Sequence, residues 1–416
     1  MKLLLLILAI VTVLAAAQFD KAGVTDSRVL SYSIPGNMVT EGRTHPVVLS
    51  LFLRVICESK HHYQIRGFAF ATSVSHTFTS WFGGIFSMPP DAVLWTPQIQ
   101  LRETFTGKGM ALDVLPHQAF SERSKEGEPR LVMPFGFSGS LETASHALEV
   151  LIDDWDRFVY LPVGLTAMPQ APTSRHTVVL PPLHGLSAES AANLVSVNAN
   201  YHAKLGLNVM LYVAVPYMQA YAANRCIAQL QANKQLELIV WDAIPESQAH
   251  SYGHKPLCYS HALLSRWGSQ ETLLMIDVDE FLAVPQVAGS IVQHVHKCIS
   301  SHVGATVLRL DTVLSSNADK PDRHWWNMTH TCGIDFMKDY GAISAYHIAE
   351  AGKSFVNSSN ALAFAVHSGH TISGEIDVVE WDCLRLLHVV NLMRHRVDYE
   401  PEMQVWGDWK WVIDTV

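Results

Sequence analysis

Charge is scarce in this chain: Asp, Glu, Lys and Arg make up 16% of its 416 residues, against 49% hydrophobic residues. That balance excludes a disordered polyelectrolyte and leaves enough apolar surface for two domains of ordinary size, each with its own core. Positive charge is scarcer still. The formal net charge of −9 excludes a nucleic-acid binder that works by blanket phosphate neutralisation, so no nucleic-acid partner is expected. An anionic ligand then needs a local solution, either a metal ion or a few placed Lys and Arg. The cysteines lack any C-x-x-C spacing; six in number, they allow up to three disulfides among fifteen pairings. There is no internal repeat and no long low-complexity tract. Beyond the first twenty residues, no apolar run has the length needed to span a bilayer.

Those first residues, MKLLLLILAIVTVLAAAQFD, carry one positive charge at Lys2, an apolar run from Leu3 to Leu14 and the small triplet Ala15, Ala16, Ala17. The pattern is that of a secretory signal over residues 1–17, with a retained N-terminal membrane anchor as the alternative. Either way the remainder is expected to face a lumen or the exterior. Sequons at Asn327 and Asn357 fit that compartment.

Residues 18–163 contain short apolar runs, HPVVLSLFLRVI and GFAFATSVSHTF among them, broken by Gly, Pro and Ser, and predict a mostly β accessory region. One stretch in it, LETASHALEVLIDDW, reads as helical. A Pro-, Thr- and Ser-bearing segment over 164–175 reads as a linker. From 176 the pattern alternates. HTVVLPPL is an apolar run; SAESAANLVSVNANYHAKLG is an amphipathic helix with Ser187 as N-cap, Gly206 as stop and Ala191, Leu194, Val195, Tyr201 and Leu205 on one face. LNVMLYVAVP, QLELIVWD and TLLMIDVD read as strands, with helices over YMQAYAANRCIAQLQANK and HKPLCYSHALLSRWG between them. Strands apolar on both faces that alternate with helices predict an α/β domain over 176–400, a mainly parallel sheet with helices on both faces. The Trp-rich tail, 401–416, is a candidate C-terminal strand.

In open α/β sheets ligands bind beyond the carboxyl ends of strands. There the chain places ETLLMIDVDEFLAVP, with Asp277, Asp279 and Glu280 closing an apolar run. Buried carboxylates either pair with cations or hold a metal. In an extended backbone Asp277 and Asp279 point to one side and Glu280 to the other, where a buried Arg, Lys or backbone donor is expected to satisfy it. Two convergent carboxylates suit a hard divalent cation, Mn²⁺ or Mg²⁺, shared with a diphosphate. D-x-D alone is a weak signal. A second copy, Asp154-Trp-Asp156, lies in the helix-like stretch and reads as a solvated face or helix terminus.

The order VVLPPLHG, NYHAKLGLNVMLYVAV, LELIVWDAIP and CYSHALLSRWGSQETLLMIDVDEFL resembles glycosyltransferase family 92, formerly a domain of unknown function, of the GT-A fold. The resemblance covers roughly 176–400 and is carried best by DVDEFL. It implies a metal-dependent hexosyltransferase of the Golgi lumen or membrane, or a secreted one, that moves a hexose, galactose by the family's habit, from a UDP-sugar to a glycan or polysaccharide acceptor. On that basis Asp277, Asp279 and His367 would serve the metal, while Lys353, in GKSFVNSSNALAFAVHSGH, and His388, in LRLLHVVNLMRHR, would serve the donor. The chain departs from the pattern at Val389, where relatives carry an aromatic residue, and lacks the usual proline in the lysine stretch.

Single-displacement transfer with inversion needs a carboxylate base on the acceptor side. Asp335, Glu375 and Asp377 are the candidates, and sequence alone does not choose among them. Two other classes fit parts of the pattern: a secreted metal-dependent phosphoesterase, and an inactive glycan-binding cell-surface protein.

Overall fold

The computed structural model describes residues 28–40, 43–59, 62–73, 93–94, 99–103, 113–114, 133–140, 148–154, 157–163, 166–167, 175–241, 251–269, 271–285, 290–301, 305–314, 332, 342–364, 369–371, 377–379, 383–389, 403–405 and 411–412. The chain divides into two compact units, Met1–Ala171 with Trp241–Gly253, and Pro172–Val240 with His254–Val416. The break after Ala171 falls inside the segment expected as a linker.

The first unit contributes ten strands among the described residues: β1 (Leu30–Thr40), β2 (Arg43–Ser59), β3 (His62–Ser73), β4 (Val93–Leu94), β5 (Ile99–Glu103), β6 (Asp113–Val114), β7 (Met133–Ser140), β8 (Leu148–Asp154), β9 (Arg157–Val163) and β10 (Thr166–Ala167). One sheet runs β4-β1-β2-β3-β7-β6 with β10 on β2; a second is β5-β8-β9. Phe52 and Phe68 stand opposite each other across β2 and β3, and their rings stack at 4.9 Å, the type of cross-strand aromatic pair that fixes register. Within the segment expected to be helical, the described residues Leu148–Asp154 form strand β8 instead. Leu148, Val150 and Ile152 alternate along it, and it pairs on both sides, with β5 and β9, so ladder bonds to two neighbours outweigh a weak local helical pattern. Asp154 therefore ends a strand, paired with Arg157 across a hairpin, and not a helix.

From residue 176 the elements are β11 (His176–Leu180), α1 (Ala188–Lys204), β12 (Asn208–Ala214), α2 (Met218–Ala223), α3 (Arg225–Ala232), β13 (Leu236–Trp241), α4 (Ser251–Arg266), β14 (Thr272–Met275), β15 (Glu280–Pro285), α5 (Ile291–Ser301), β16 (Ala305–Leu314), β17 (Ala342–Asn357), β18 (Ala361–Phe364), β19 (Gly369–Thr371), β20 (Asp377–Val378), β21 (Arg385–Val389), β22 (Met403–Val405) and β23 (Trp411–Val412). This is an α/β arrangement. The main sheet has the order β13-β12-β11-β14-β17-β16-β21-β15-β23, with β20 on β16 and β22 on β17. β11 is parallel to β12 and β14; at β17 the pairing turns antiparallel, so the sheet is mixed. Strands β22 and β23 both come from the C-terminal tail, so the described residues of that tail belong to the sheet.

Helix α1 starts and stops where local chemistry dictates. Ser187 Oγ accepts the Ser190 N–H at 3.2 Å, and Gly206 follows the helix at φ +84°. A Cβ at Gly206 would also lie 2.5 Å from Val292 of α5, so close approach as well as handedness calls for glycine. The expected face, Ala191, Leu194, Val195, Tyr201 and Leu205, is buried in one core with Leu211 and Val213 of β12 and with Val295 and Ile299 of α5. Tyr212, between Leu211 and Val213, faces the other way and meets His261 Nδ1 of α4 at 2.8 Å. Helices thus cover both faces. The single helix expected over 217–234 is two: Asn224 is extended and its side chain accepts the N–H groups of Cys226 and Ile227, which ends α2 and starts α3.

Candidate functional site

β14 ends at Met275, and Asp277-Val278-Asp279-Glu280 turns back toward β15, closed by the Glu280 N–H donating to the Asp277 carbonyl at 3.1 Å. This corrects the extended geometry expected from the sequence. Glu280 does not point away from Asp277: its Oε2 accepts the Asp277 N–H at 2.7 Å, and Lys353 Nζ lies 3.7 Å from its Oε1. A backbone donor and a lysine are the kinds of partner the sequence called for. The turn brings them to the Asp277 side because reversal over four residues cancels the strand's alternation.

Helix α1 holds this turn from the core side. Asn198, fully buried, donates from Nδ2 to the carbonyls of Val278 (2.9 Å) and Glu280 (2.8 Å), which flank Asp279. Tyr201 donates its hydroxyl to the Leu282 carbonyl. His202 Nε2 accepts the Leu282 N–H at 3.4 Å, so its proton sits on Nδ1, 3.0 Å from the carbonyl and from the side-chain oxygen of Asn198. Burial lowers the His202 pKa to about 4, against a smaller upward pull from its bond to the Asn198 backbone, and the ring is neutral as that tautomer requires. From α4, Tyr259 donates to the Ile276 carbonyl at 2.9 Å.

Three basic side chains meet the three carboxylates. Lys255 Nζ of α4 lies 2.7 Å from Asp277 Oδ1, Lys353 Nζ of β17 lies 3.2 Å from Asp277 Oδ2, and His388 Nε2 of β21 lies 3.3 Å from Asp279 Oδ2. The register of β15 against β21, with Glu280 opposite His388, delivers the last contact. Burial pushes the Asp277 carboxyl up, but Lys353 and then Lys255 outweigh it and hold it well below the usual carboxylate range. Glu280 is pushed up to about 7 by burial, which Lys353 only partly opposes and Asp277 reinforces. For Lys353, burial acts downward and is overcome by Asp277 and Glu280, so the ammonium holds its proton more tightly than a free lysine. His388 behaves likewise: Asp279 outweighs burial and raises it.

Of the residues singled out from sequence, Asp277, Asp279, Lys353 and His388 converge here, drawn from three segments. Asp377 begins β20 beside Thr306 of β16, with its backbone alone described. Asp335, Glu375 and His367 lie outside the described residues, as does Asn327. Lys255 and Asn198 were missed. Nothing in a lone helical lysine or asparagine marks it, although an Asn on the apolar face of α1 is a polar group that needs a buried partner.

Among the described residues, His294, Cys298 and Cys383 cluster as metal ligands would. Cys298 and Cys383 form a disulfide, so their sulfurs are not thiolates and the group is no metal centre. Cys226 and Cys332 form a second disulfide, while Cys258 is buried as a thiol. Two disulfides fit an oxidising compartment, secreted or lumenal. No helix among the described residues is long and apolar enough to cross a membrane.

The carboxylate turn also suits a divalent cation on one side. Asp279 Oδ2 and His388 Nε2 are 3.3 Å apart, close to the ~3 Å between adjacent ligand atoms of an octahedral ion with bonds of about 2.1 Å. Asp277 is different, because a lysine stands at each of its oxygens.

No family model matches the chain, and no curated protein does. Among solved structures, amylomaltase from Corynebacterium glutamicum matches over 28% of this chain and 18% of that one, at 11% identity and a TM-score of 0.12, too little for any argument about fold or activity.

Proposed function

We propose that the chain is a UDP-sugar-dependent hexosyltransferase of the GT-A type, similar to glycosyltransferase family 92, with the donor diphosphate at the Asp277–Glu280 turn. The observation that carries this reading is the convergence of Asp277, Asp279, Lys353 and His388, up to 111 positions apart, beyond the carboxyl end of the parallel strand β14. Their spacing in sequence gives no reason for them to meet. A site for a nucleotide sugar does, since it needs anionic ligands for a cation and basic groups for phosphate. The strand order β13-β12-β11-β14 followed by antiparallel β17 supports a GT-A arrangement.

Asp279 and His388 would hold the Mn²⁺ or Mg²⁺, with Asp277 beside them; when bound, such a cation neutralises charge on the departing diphosphate. The chain's own residues do the rest. Lys353, 1% exposed and fixed between Asp277 and Glu280, is a rigid positive charge under the phosphate position. The clamp from Asn198 keeps the carboxylates from shifting with load. A carboxylate on the acceptor side, Asp335, Glu375 or Asp377, takes the hydroxyl proton as the new glycosidic bond forms and UDP leaves, with inversion at the sugar carbon. Galactose as the sugar, a glycan or polysaccharide as acceptor and the Golgi lumen or membrane as location follow from the resemblance.

The test is a thermal-shift panel of UDP-sugars with and without Mn²⁺, followed by transfer assays on the three amide variants of the base candidates. A Mn²⁺-dependent shift with one UDP-hexose is expected, and one base variant should bind UDP yet fail to transfer. Absence of any Mn²⁺-dependent UDP shift would refute the reading.

A further inference from the structure

The disulfide between Cys298 and Cys383 ties helix α5 to the residue two places ahead of strand β21. His294 stands beside it. Four residues before Cys298, it lies on the same face of α5, with Nε2 3.4 Å from Cys298 Sγ and donating to the Cys383 carbonyl at 3.0 Å. The three ligand atoms lie within 4.8 Å of one another. A disulfide is neutral and its sulfurs are weak acceptors, so the bond itself has little use for an imidazole. Opened, it has one: a thiolate is stabilised by a donor or a metal beside it.

We propose that the reduced Cys298–Cys383 pair and His294 form a zinc site, so that α5 and the entry to β21 stay joined through Zn²⁺ when the disulfide is opened. The inference does not depend on the donor-site reading. The two-electron step takes an external dithiol as reductant. Its thiolate attacks Cys383 Sγ, which is half-buried, whereas Cys298 is 3% exposed. The S–S bond breaks and Cys298 leaves as a thiolate under the His294 N–H. The reductant's second thiol then displaces the Cys383 thiolate and closes as the reductant's own disulfide. Zn²⁺ takes both thiolates, and the two protons of the dithiol go to solvent. His294 joins through Nε2 by moving its proton to Nδ1, which has no partner among the described residues.

The geometry suits that metal. Tetrahedral Zn²⁺, with bonds of about 2.3 Å to sulfur and about 2.0–2.1 Å to nitrogen, sets adjacent nitrogen and sulfur ligands about 3.5 Å apart. His294 Nε2 and Cys298 Sγ are 3.4 Å apart already. The two sulfurs must part to about 3.8 Å, which rotation about their Cα–Cβ bonds gives while the Cα atoms stay 5.8 Å apart. Water fills the fourth position, since His294 and Cys383 are each only half-buried. Thiolates select zinc over the hard cations suited to Asp279, so the two sites do not compete for one ion.

The probe is Co²⁺, which replaces Zn²⁺ and shows a thiolate-to-metal charge-transfer band when sulfur binds it. The full chain is reduced with excess dithiol, freed of it by anaerobic gel filtration, and titrated. A single equivalent of Co²⁺ should bind with that band and be displaced by Zn²⁺, while the oxidised chain shows no band. Cobalt at Asp279 and His388 has no sulfur ligand and stays silent in this assay. His294→Gln, which keeps the disulfide in the oxidised chain, should weaken Co²⁺ binding to the reduced chain roughly tenfold or more. Cys298→Ser should abolish the band. Zn²⁺ should raise the melting temperature of the reduced chain and leave that of the oxidised chain unchanged. The proposal is overturned by a reduced wild-type chain without the band, by unchanged affinity in His294→Gln, or by a full band in Cys298→Ser, which would assign it to the other cysteines. A reduced chain that Zn²⁺ does not stabilise overturns it as well.

Discussion

Replacing Lys353 by Met leaves two carboxylates in the interior without the ammonium between them. At an effective dielectric of about 20, the contacts of 3.2 Å to Asp277 and 3.7 Å to Glu280 are worth about 5 and about 4 kcal/mol. Burying the ammonium costs several kcal/mol, so the pair is worth less than that in total; removing one partner of a buried pair still costs about 3–5 kcal/mol, since the other stays behind. Lys255 keeps a partner for Asp277, which places Lys353→Met near the lower end of that range. The loss also depends on pH in a definite direction. The Glu280 pKa in the fold, about 7, lies above its ordinary 4.5, so protonation favours the folded chain: that contribution is fully present below about 4.5 and is lost as pH rises through about 7. Without Lys353 the Glu280 carboxyl is pushed higher still, so the variant loses more stability than wild type as pH rises: it should be weakest, relative to wild type, at pH 8, and should recover part of its stability at pH 6. Adding Glu280→Gln removes the stranded charge and should return roughly half the loss at pH 8, a coupling of about 2 kcal/mol. Urea unfolding at both pH values, with wild type, both single variants and the double variant, reads this out. A Lys353→Met protein within 1 kcal/mol of wild type at pH 8, or one equally destabilised at both pH values, would refute the reasoning.

Asn198→Ala strands two buried carbonyls, at about 1–3 kcal/mol each, so it should lower stability by about 2–6 kcal/mol and weaken Mn²⁺-dependent UDP binding; a folded variant with wild-type affinity would show that the turn needs no clamp. The His202 pKa in the fold, about 4, lies below the ordinary 6.5, so its contribution is present above about 6.5 and is lost as pH falls toward 4, by about 3 kcal/mol in all; unfolding free energies measured from pH 7 to 4 should fall accordingly, and His202→Gln should flatten the slope. Asp279→Asn keeps the shape of the side chain and removes one anionic ligand: UDP affinity with Mn²⁺ should be lost in a protein whose melting curve still shows a cooperative transition, and unchanged affinity would remove Asp279 from the metal position.

Several features were legible in the sequence because the forces that set them are local. Ser187 and Gly206 mark the ends of α1 by capping and by handedness, and an apolar run of the length of HTVVL reads as a buried strand. The triple of Asp277, Asp279 and Glu280 signals a site because buried carboxylates demand partners, whatever the fold. What those partners are is a tertiary fact. Lys255, Lys353 and His388 arrive from a helix and two strands; the family resemblance marked Lys353 and His388, and no local pattern distinguishes Lys255 from other basic residues. The tertiary structure also overrode two local readings. Ladder bonds to β5 and β9 made a strand of Leu148–Asp154, where the sequence suggested a helix. The demand for hydrogen bonds at the end of β14, met by Asn198 from across the core, bent Asp277–Glu280 into a turn, so that Glu280 shares a lysine with Asp277 instead of facing away from it. Sequence determines which groups cannot stay unpaired; the long-range packing of α1, α4, β17 and β21 against one strand end decides which groups pair them.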